Sequence, residues 1–269
     1  MKVSRTDATR IAVMGGAYGN VPALRACLEH AASRGCTHHV FLGDATGCCG
    51  HSDECLRLIR EHFQTLVAGN HEQEAAAGSE SCGCGYTNAE DERYSCLAHQ
   101  YAMDSLSDEL RTWIARWPDL GLLETPAGNV LLCHGSPDRT NEFLYESQLD
   151  PHRLEAWLAR YGAVALACTH TGLPWIRPLD AGRLALNVGA VGKADHDGDP
   201  AVHYAVLSVT PRGLHPTLER VTYDATAWAD QLDREGVDKV FTEPLRTGWW
   251  TVGVNSLPET ERSRRASER

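Results

Sequence analysis

Short apolar runs alternate with amphipathic stretches through the first seventy residues. Ile11-Ala-Val-Met14 is a buried-strand pattern that runs into the tight turn Gly15-Gly16. Asn20-Val-Pro22 then opens a helix, with Asn20 suited to the cap, Pro22 to the first turn, and Leu24, Cys27, Leu28 and Ala31 on one face. A second strand, His39-Val-Phe-Leu42, ends in Gly43-Asp44. Ser52 is the expected cap of a second helix whose buried stripe is Cys55, Leu58, Ile59 and His62. A third strand, near Thr65 to Ala68, ends in Gly69-Asn70-His71-Glu72. The rhythm is strand, turn, helix, repeated.

Residues 73–95 break it with small, polar and acidic positions around Ser81-Cys-Gly-Cys-Gly85, which predicts a long loop insertion. Helical spacing resumes at Ser107 with Leu110, Trp113, Ile114 and Trp117, and again after Asp150-Pro151 with Leu154, Trp157, Leu158 and Tyr161. Further strands are expected at Val130 to Cys133, Val164 to Ala167, Leu184 to Val188, Tyr204 to Val209 and Leu218 to Tyr223. Residues 1–255 read as one domain, and the polar, charged stretch 256–269 as a disordered tail.

Charge changes this picture by exclusion. With 25 Lys and Arg against 36 Asp and Glu, a net charge of −11 argues against a surface for nucleic-acid duplex. No apolar run approaches the roughly 20 residues of a membrane span, and Met1 to Arg10 lacks the apolar centre of a signal peptide. The expectation is a soluble, cytoplasmic protein. There, 10 cysteines act as core filler, metal ligands or reactive thiols more often than as disulfides.

Chemistry collects where strands end. Asp44, Asn70 with His71, His134 and His170 each follow a different predicted strand, and ligands of open α/β sheets bind off the carboxyl ends of strands. Any one of these residues is an ordinary turn or structural residue. Their joint placement points to a metal site, and a carboxylate, an amide oxygen and two imidazoles suit Zn, Mn or Fe.

On these residues the chain resembles the calcineurin-like metallophosphoesterases, especially their small prokaryotic phosphatase and phosphodiesterase members. The motifs are Gly43-Asp44-x-x-Gly47, Gly69-Asn70-His71-Glu72, His134-Gly135-Ser136-Pro137, Thr169-His170-Thr171 with Pro174-Trp175, and Asn187-Val-Gly-Ala-Val-Gly192. The resemblance runs from about Ile11 to Gly248. It implies an α/β fold, a central β-sandwich flanked by helices, with two metals about 3.5–4 Å apart clamping the phosphoryl group. It also implies that Asp44 bridges both ions, that Asn70, His134 and His170 complete one site, and that His71 protonates the leaving oxygen as general acid.

The other site departs from the pattern. Gly16 and Tyr18 stand where the family has an Asp and a His in the first turn, and Gly172 where it has the second His of its GHxH motif. All three losses fall on one metal while Asp44, Asn70, His71, His134 and His170 remain, so remodelling is more economical than decay. Cys48, Cys49 and His51 after the metal-binding turn, and Cys82 and Cys84 in the insertion, are the candidate additional ligands or thiols. Their alternative is plain turn and loop duty. Cys27, Cys55, Cys133 and Cys168 read as core, and Tyr18 as filler of the vacated site or as a hydrogen-bonding partner of substrate. Trp249-Trp250 reads as packing rather than as a stacking surface, and Lys193, Arg177 and Arg183 as too scattered to clamp a phosphate.

From the resemblance, the expected function is metal-dependent hydrolysis by a phosphatase or phosphodiesterase. The substrate would be a small phosphate ester or nucleotide, acted on at a mononuclear or thiolate-remodelled centre. The cofactor is a divalent transition metal (Mn, Fe or Zn), one ion per chain, with a second left open. The partner is a small phosphorylated molecule, with neither nucleic-acid duplex nor membrane; no oligomeric state is assigned. Two other readings stay open: an iron and thiolate enzyme of non-phosphoester chemistry on the same scaffold, and a non-catalytic metal- or ligand-binding protein.

Overall fold

The computed structural model describes residues 1–266. Its strands are β1 (Lys2–Arg5), β2 (Arg10–Met14), β3 (His38–Phe41), β4 (Thr65–Leu66), β5 (Leu120–Thr125), β6 (Gly128–Cys133), β7 (Ala165–Cys168), β8 (Trp175–Pro178), β9 (Leu184–Asn187), β10 (Val202–Thr210) and β11 (Gly213–Val221). Its helices are α1 (Val21–Ser33), α2 (Ser52–His62), α3 (Asn70–Ala77), α4 (Ala89–Asp104), α5 (Asp108–Ile114), α6 (Pro151–Tyr161), α7 (Ala225–Arg234), α8 (Lys239–Thr247) and α9 (Glu259–Ala266).

The strands form two sheets, ordered β1-β5-β6-β7-β9-β8 and β11-β10-β2-β3-β4. Within them β2, β3 and β4 run parallel, as do β6, β7 and β9. Both sheets carry apolar residues on both faces. Ile11, Val13, Val40 and Leu42 of one pack against Leu123, Val130, Leu132, Ala165 and Leu186 of the other and form the inter-sheet core. The alternate residues Ala12, Met14 and Phe41 meet α1, α2 and α5 through Leu24, Cys27, Cys55, Ile59, Leu110 and Ile114. On the outer side of the second sheet, Leu131, Cys133 and Leu166 meet Leu154, Trp157 and Leu158 of α6. Strands covered on both sides lose the polar alternation of a half-exposed sheet, which is why they read as continuous apolar runs. The fold class is therefore the expected helix-flanked β-sandwich.

Two expectations about helices change. The cap of α2 is His51, in extended conformation, and Ser52 is the first helical residue, its hydroxyl without a hydrogen-bond partner. The expected loop 73–95 shortens, because α3 runs to Ala77 and α4 begins at Ala89, capped by Asn88. The buried face of α4 is Asp91, Ser95, Ala98, His99 and Ala102, too polar to show a hydrophobic period. Asp91 explains its own burial. It accepts hydrogen bonds from the Gly253 and Ser256 amides (2.8 and 2.9 Å) and from the Ser256 hydroxyl (2.8 Å), tying the carboxyl-terminal segment to α4.

The segment expected as a disordered tail instead holds α9, with Leu257 buried and the buried Glu261 accepting from the Ser147 amide at 3.0 Å. Its last residues, 267–269, lie outside the described ones. No described helix is long and apolar enough to cross a membrane.

Candidate metal centre and pocket

The parallel strands deliver their carboxyl ends to one edge of the sandwich. Asp44 follows β3, Asn70 and His71 follow β4, His134 follows β6, and His170 follows β7. Asp44 and His170 adopt positive φ (60° and 24°), a conformation side chains other than glycine seldom hold without local support. Glu72 provides it for Asp44: its carboxylate accepts from the amides of Asp44 (2.8 Å), Ala45 (2.8 Å) and Gly69 (2.7 Å). Asn187, at the end of β9, provides it for His170, donating to the Thr169 carbonyl (2.5 Å) and the Thr171 hydroxyl (2.9 Å) on either side. Gly69 must lack a side chain, since a Cβ there would stand 2.3 Å from Asp44 Oδ1 and 3.0 Å from the His134 ring.

The ligand atoms of Asp44, His134 and His170 lie within 4.8 Å of one another, all three residues buried. His134 donates from Nδ1 to the Leu42 carbonyl (2.7 Å), which leaves Nε2 facing Asp44 Oδ2 at 3.2 Å and His170 Nδ1 at 3.0 Å. Ring orientation by a backbone carbonyl is the usual support of a metal-binding imidazole. Asn70 donates from Nδ2 to the Cys82 carbonyl (2.8 Å), while its Oδ1 is buried without a hydrogen-bond partner. A buried amide oxygen without a partner, on the residue before His71, is a group that an oxygen-preferring divalent ion would satisfy.

Electrostatics sharpen the arrangement. Burial alone would raise the Asp44 pKa, but His134 and His71 outweigh it and hold the carboxyl well below the usual range. For His134 burial favours the neutral ring, and the Asp44 carboxylate reverses the balance and raises its pKa. Burial, reinforced by neighbouring His134, pushes His170 down to about 3. His71 sits at the rim of this group. Its Nδ1 donates to the Thr46 carbonyl (2.8 Å), and its Nε2 lies 4.0 Å from Asp44 Oδ2.

Where the family pattern is missing, aromatic rings stand. A Cβ on Gly16 would meet the Tyr18 ring at 3.1 Å, and one on Gly172 would meet the Trp250 ring at 3.7 Å. Tyr18 also packs edge-on against His71, with ring centroids 5.7 Å apart. Of its two expected roles, steric filling agrees with this packing.

The cysteines separate into two sets. Cys82 and Cys84, candidate metal ligands or thiols from the sequence, are joined by a disulfide, the turn at Gly83 bringing their Cα atoms to 5.3 Å. The pair lies against His71, with Cys84 Sγ 3.6 Å from its Nε2. Cys48 and Cys49 remain free, their sulfurs 3.9 Å apart, and line the pocket together with Lys193. His51 points elsewhere and pairs with Glu235 at 2.8 Å. Cys27, Cys55, Cys133 and Cys168 are core, as expected.

A pocket opens beside Asp44, His71 and His170. Tyr86, Tyr94, Phe241 and Trp250 line it, and Lys193 is the cation among its lining residues. The Lys193 ammonium lies 3.5 Å over the Trp250 ring, and burial pushes its pKa down to about 8. Sequence reasoning set Lys193 aside as scattered and read Trp250 as packing; the fold puts both at the pocket, although Trp250 is also buried against Tyr145, Leu173 and Leu257. Glu72 and Asn187 stood in quoted motifs without a role. Their place in motifs at strand ends was the available signal.

Comparison with known proteins agrees with this geometry. A family model described as calcineurin-like phosphoesterase matches residues 9–209. An uncharacterized protein of Methanocaldococcus jannaschii is 25% identical over 183 residues, covering 67% of this chain and 69% of that protein. A metallophosphoesterase structure from Sphaerobacter thermophilus superposes with a TM-score of 0.68 at 23% identity, covering 90% of this chain and 100% of that one. A hypothetical protein from Pyrococcus horikoshii OT3 does so with a TM-score of 0.70 at 17% identity, covering 90% and 99%. At these identities the two structures establish the fold alone.

Proposed function

The chain belongs to the calcineurin-like phosphoesterase family, and from that premise we propose that it hydrolyses a small phosphate ester or nucleotide at a mononuclear metal centre. The observation that carries this reading is the convergence of Asp44, His134 and His170 within 4.8 Å, next to a pocket that His71 also lines. Asp44, Asn70, His134 and His170 hold one divalent ion of Mn, Fe or Zn. When bound, it supplies Lewis acidity to the phosphoryl group and to the attacking water.

The remaining work belongs to the chain's own side chains. Lys193 attracts the anionic ester and supplies a positive charge on the side where the family's other metal is missing. The aromatic wall accommodates a leaving group with a flat apolar part, such as an aryl group or a nucleoside. As water attacks phosphorus and the ester P–O bond breaks, protonated His71 gives its Nε2 proton to the departing oxygen. The Thr46 carbonyl fixes the ring for this by accepting from Nδ1.

The test is hydrolysis by protein loaded separately with Mn, Fe or Zn, against aryl phosphomonoesters, aryl diesters and nucleotides. His71→Ala in the oxidised protein is expected to lower kcat by about 10²–10⁴ while bound metal stays unchanged. His134→Ala is expected to lose metal and turnover together. A fully metal-loaded wild type that turns over none of these esters would overturn the reading.

A further inference from the structure

The Cys82-Gly83-Cys84 turn packs on the catalytic edge in a way that hydrolysis does not call upon. Cys82, Cys84 and His71 place their ligand atoms within 4.8 Å of one another, all buried, in a group separate from Asp44, His134 and His170. The turn is held from several sides. Asn70 donates to the Cys82 carbonyl (2.8 Å) and approaches Cys84 Sγ (3.5 Å), and Asn141 donates to the Gly83 carbonyl (2.9 Å). The Cys84 amide points at Cys82 Sγ (3.1 Å), a backbone donor that favours a thiolate there. His71 Nδ1 is committed to the Thr46 carbonyl, so the neutral ring presents the lone pair of Nε2 to the sulfurs. Asp44 Oδ2 lies 4.0 Å from that nitrogen, while the two sulfurs and His71 form a group that does not include it.

We propose that in the reduced chain Cys82, Cys84 and His71 form a second metal site for a thiophilic ion, zinc or ferrous iron. Two thiolates and an imidazole are fitting ligands for such an ion, with the fourth position open to water. The site replaces the family's missing second metal with ligands from a loop rather than from the first strand turn. Reduction of the disulfide takes two electrons and two protons from a dithiol reductant, which becomes a disulfide itself. Binding then releases the two thiol protons to solvent. Occupation also engages His71 Nε2 and removes the proton donor, so disulfide and metal-thiolate states differ in catalytic competence. The site needs only these side chains and does not depend on phosphoester hydrolysis.

The experiment is anaerobic titration of metal-stripped protein with cobalt(II), a spectroscopic stand-in for zinc. Elemental analysis counts the ions, and absorption reads the sulfur-to-cobalt charge-transfer band in the near ultraviolet. Reduced wild type should take two ions per chain and show the band. Oxidised wild type, which needs no mutation and so no refolding, should take one ion without it, as should Cys82→Ser/Cys84→Ser. His71→Ala should weaken the second ion by more than about tenfold. His134→Ala should lose the other ion and keep the band, so this proposal and the hydrolytic one fail separately. A reduced wild type without the band, or a band that persists in the double variant, overturns the proposal.

Discussion

The Tyr18 hydroxyl lies 3.2 Å from the point where a Cβ on Gly16 would stand. Loss of one family ligand and gain of the neighbouring ring are therefore one steric event. Gly16 has φ of +60°, so Gly16→Asp adds a strained backbone to an occupied space and should cost about 1–3 kcal/mol without adding a metal. The triple change Gly16→Asp/Tyr18→His/Gly172→His removes the Tyr18 ring and supplies the ligands, with positive φ kept at positions 16 and 172 (+60° and +69°). Elemental analysis of the oxidised protein should then rise from one ion to two; a count that stays at one would separate the rings from the loss of the site.

Glu72 is expected to be the most sensitive carboxylate away from the metal. Glu72→Ala strands three buried amides, those of Asp44, Ala45 and Gly69, at a cost on the order of 3–5 kcal/mol. Denaturant unfolding of the metal-free protein measures it. Glu72→Gln keeps one acceptor oxygen and should lose less.

Lys193 gives the pocket a pH signature. Its pKa is pushed down to about 8, so the cation is present below that value and is lost as pH rises through it. KM for an anionic ester should increase above about pH 8 in the wild type and be higher, but flat across that range, in Lys193→Gln. A steady-state profile with identical slopes in both proteins would remove Lys193 from substrate binding.

His170 predicts how the metal-free protein responds to acid. Its folded pKa, about 3, lies below the ordinary value near 6.5. The contribution of the neutral ring is thus complete above about pH 6.5 and is lost progressively as pH falls toward 3. The melting temperature of stripped protein should decline across that window, and His170→Asn should flatten the decline. Saturating metal, which competes with the proton for the ring, should hold the wild-type melting point further into acid.

The candidate centre was legible because buried parallel strands advertise themselves as apolar runs, and the residue after each run is placed by topology. Asp44, His134 and His170 come together at these strand ends, with His71 4.0 Å from Asp44. The pocket wall was not legible for the opposite reason. The face of α4 turned inward is Asp91, Ser95 and His99, polar residues whose burial is explained by hydrogen-bond partners, in the case of Asp91 as far along the chain as Gly253. The stripe of α7, Ala225, Trp228, Ala229 and Leu232, carried a helical period that the sequence does display, whereas Pro244 inside α8 argues against a helix there. The Cys82–Cys84 bond escaped because it depends on the geometry of one glycine turn rather than on any spacing rule.

The wall formed by Phe241 and Trp250 comes from beyond residue 209, outside the segment that matches the family, and Asp91 fastens that stretch to the body. On the proposed reading, the residues for the ion and part of the wall for the leaving group lie on different lengths of chain, with Tyr86 and Tyr94 completing the wall from within the matched segment. Changes in the last sixty or so residues would then reshape one side of the pocket while Asp44, His134 and His170 keep their places.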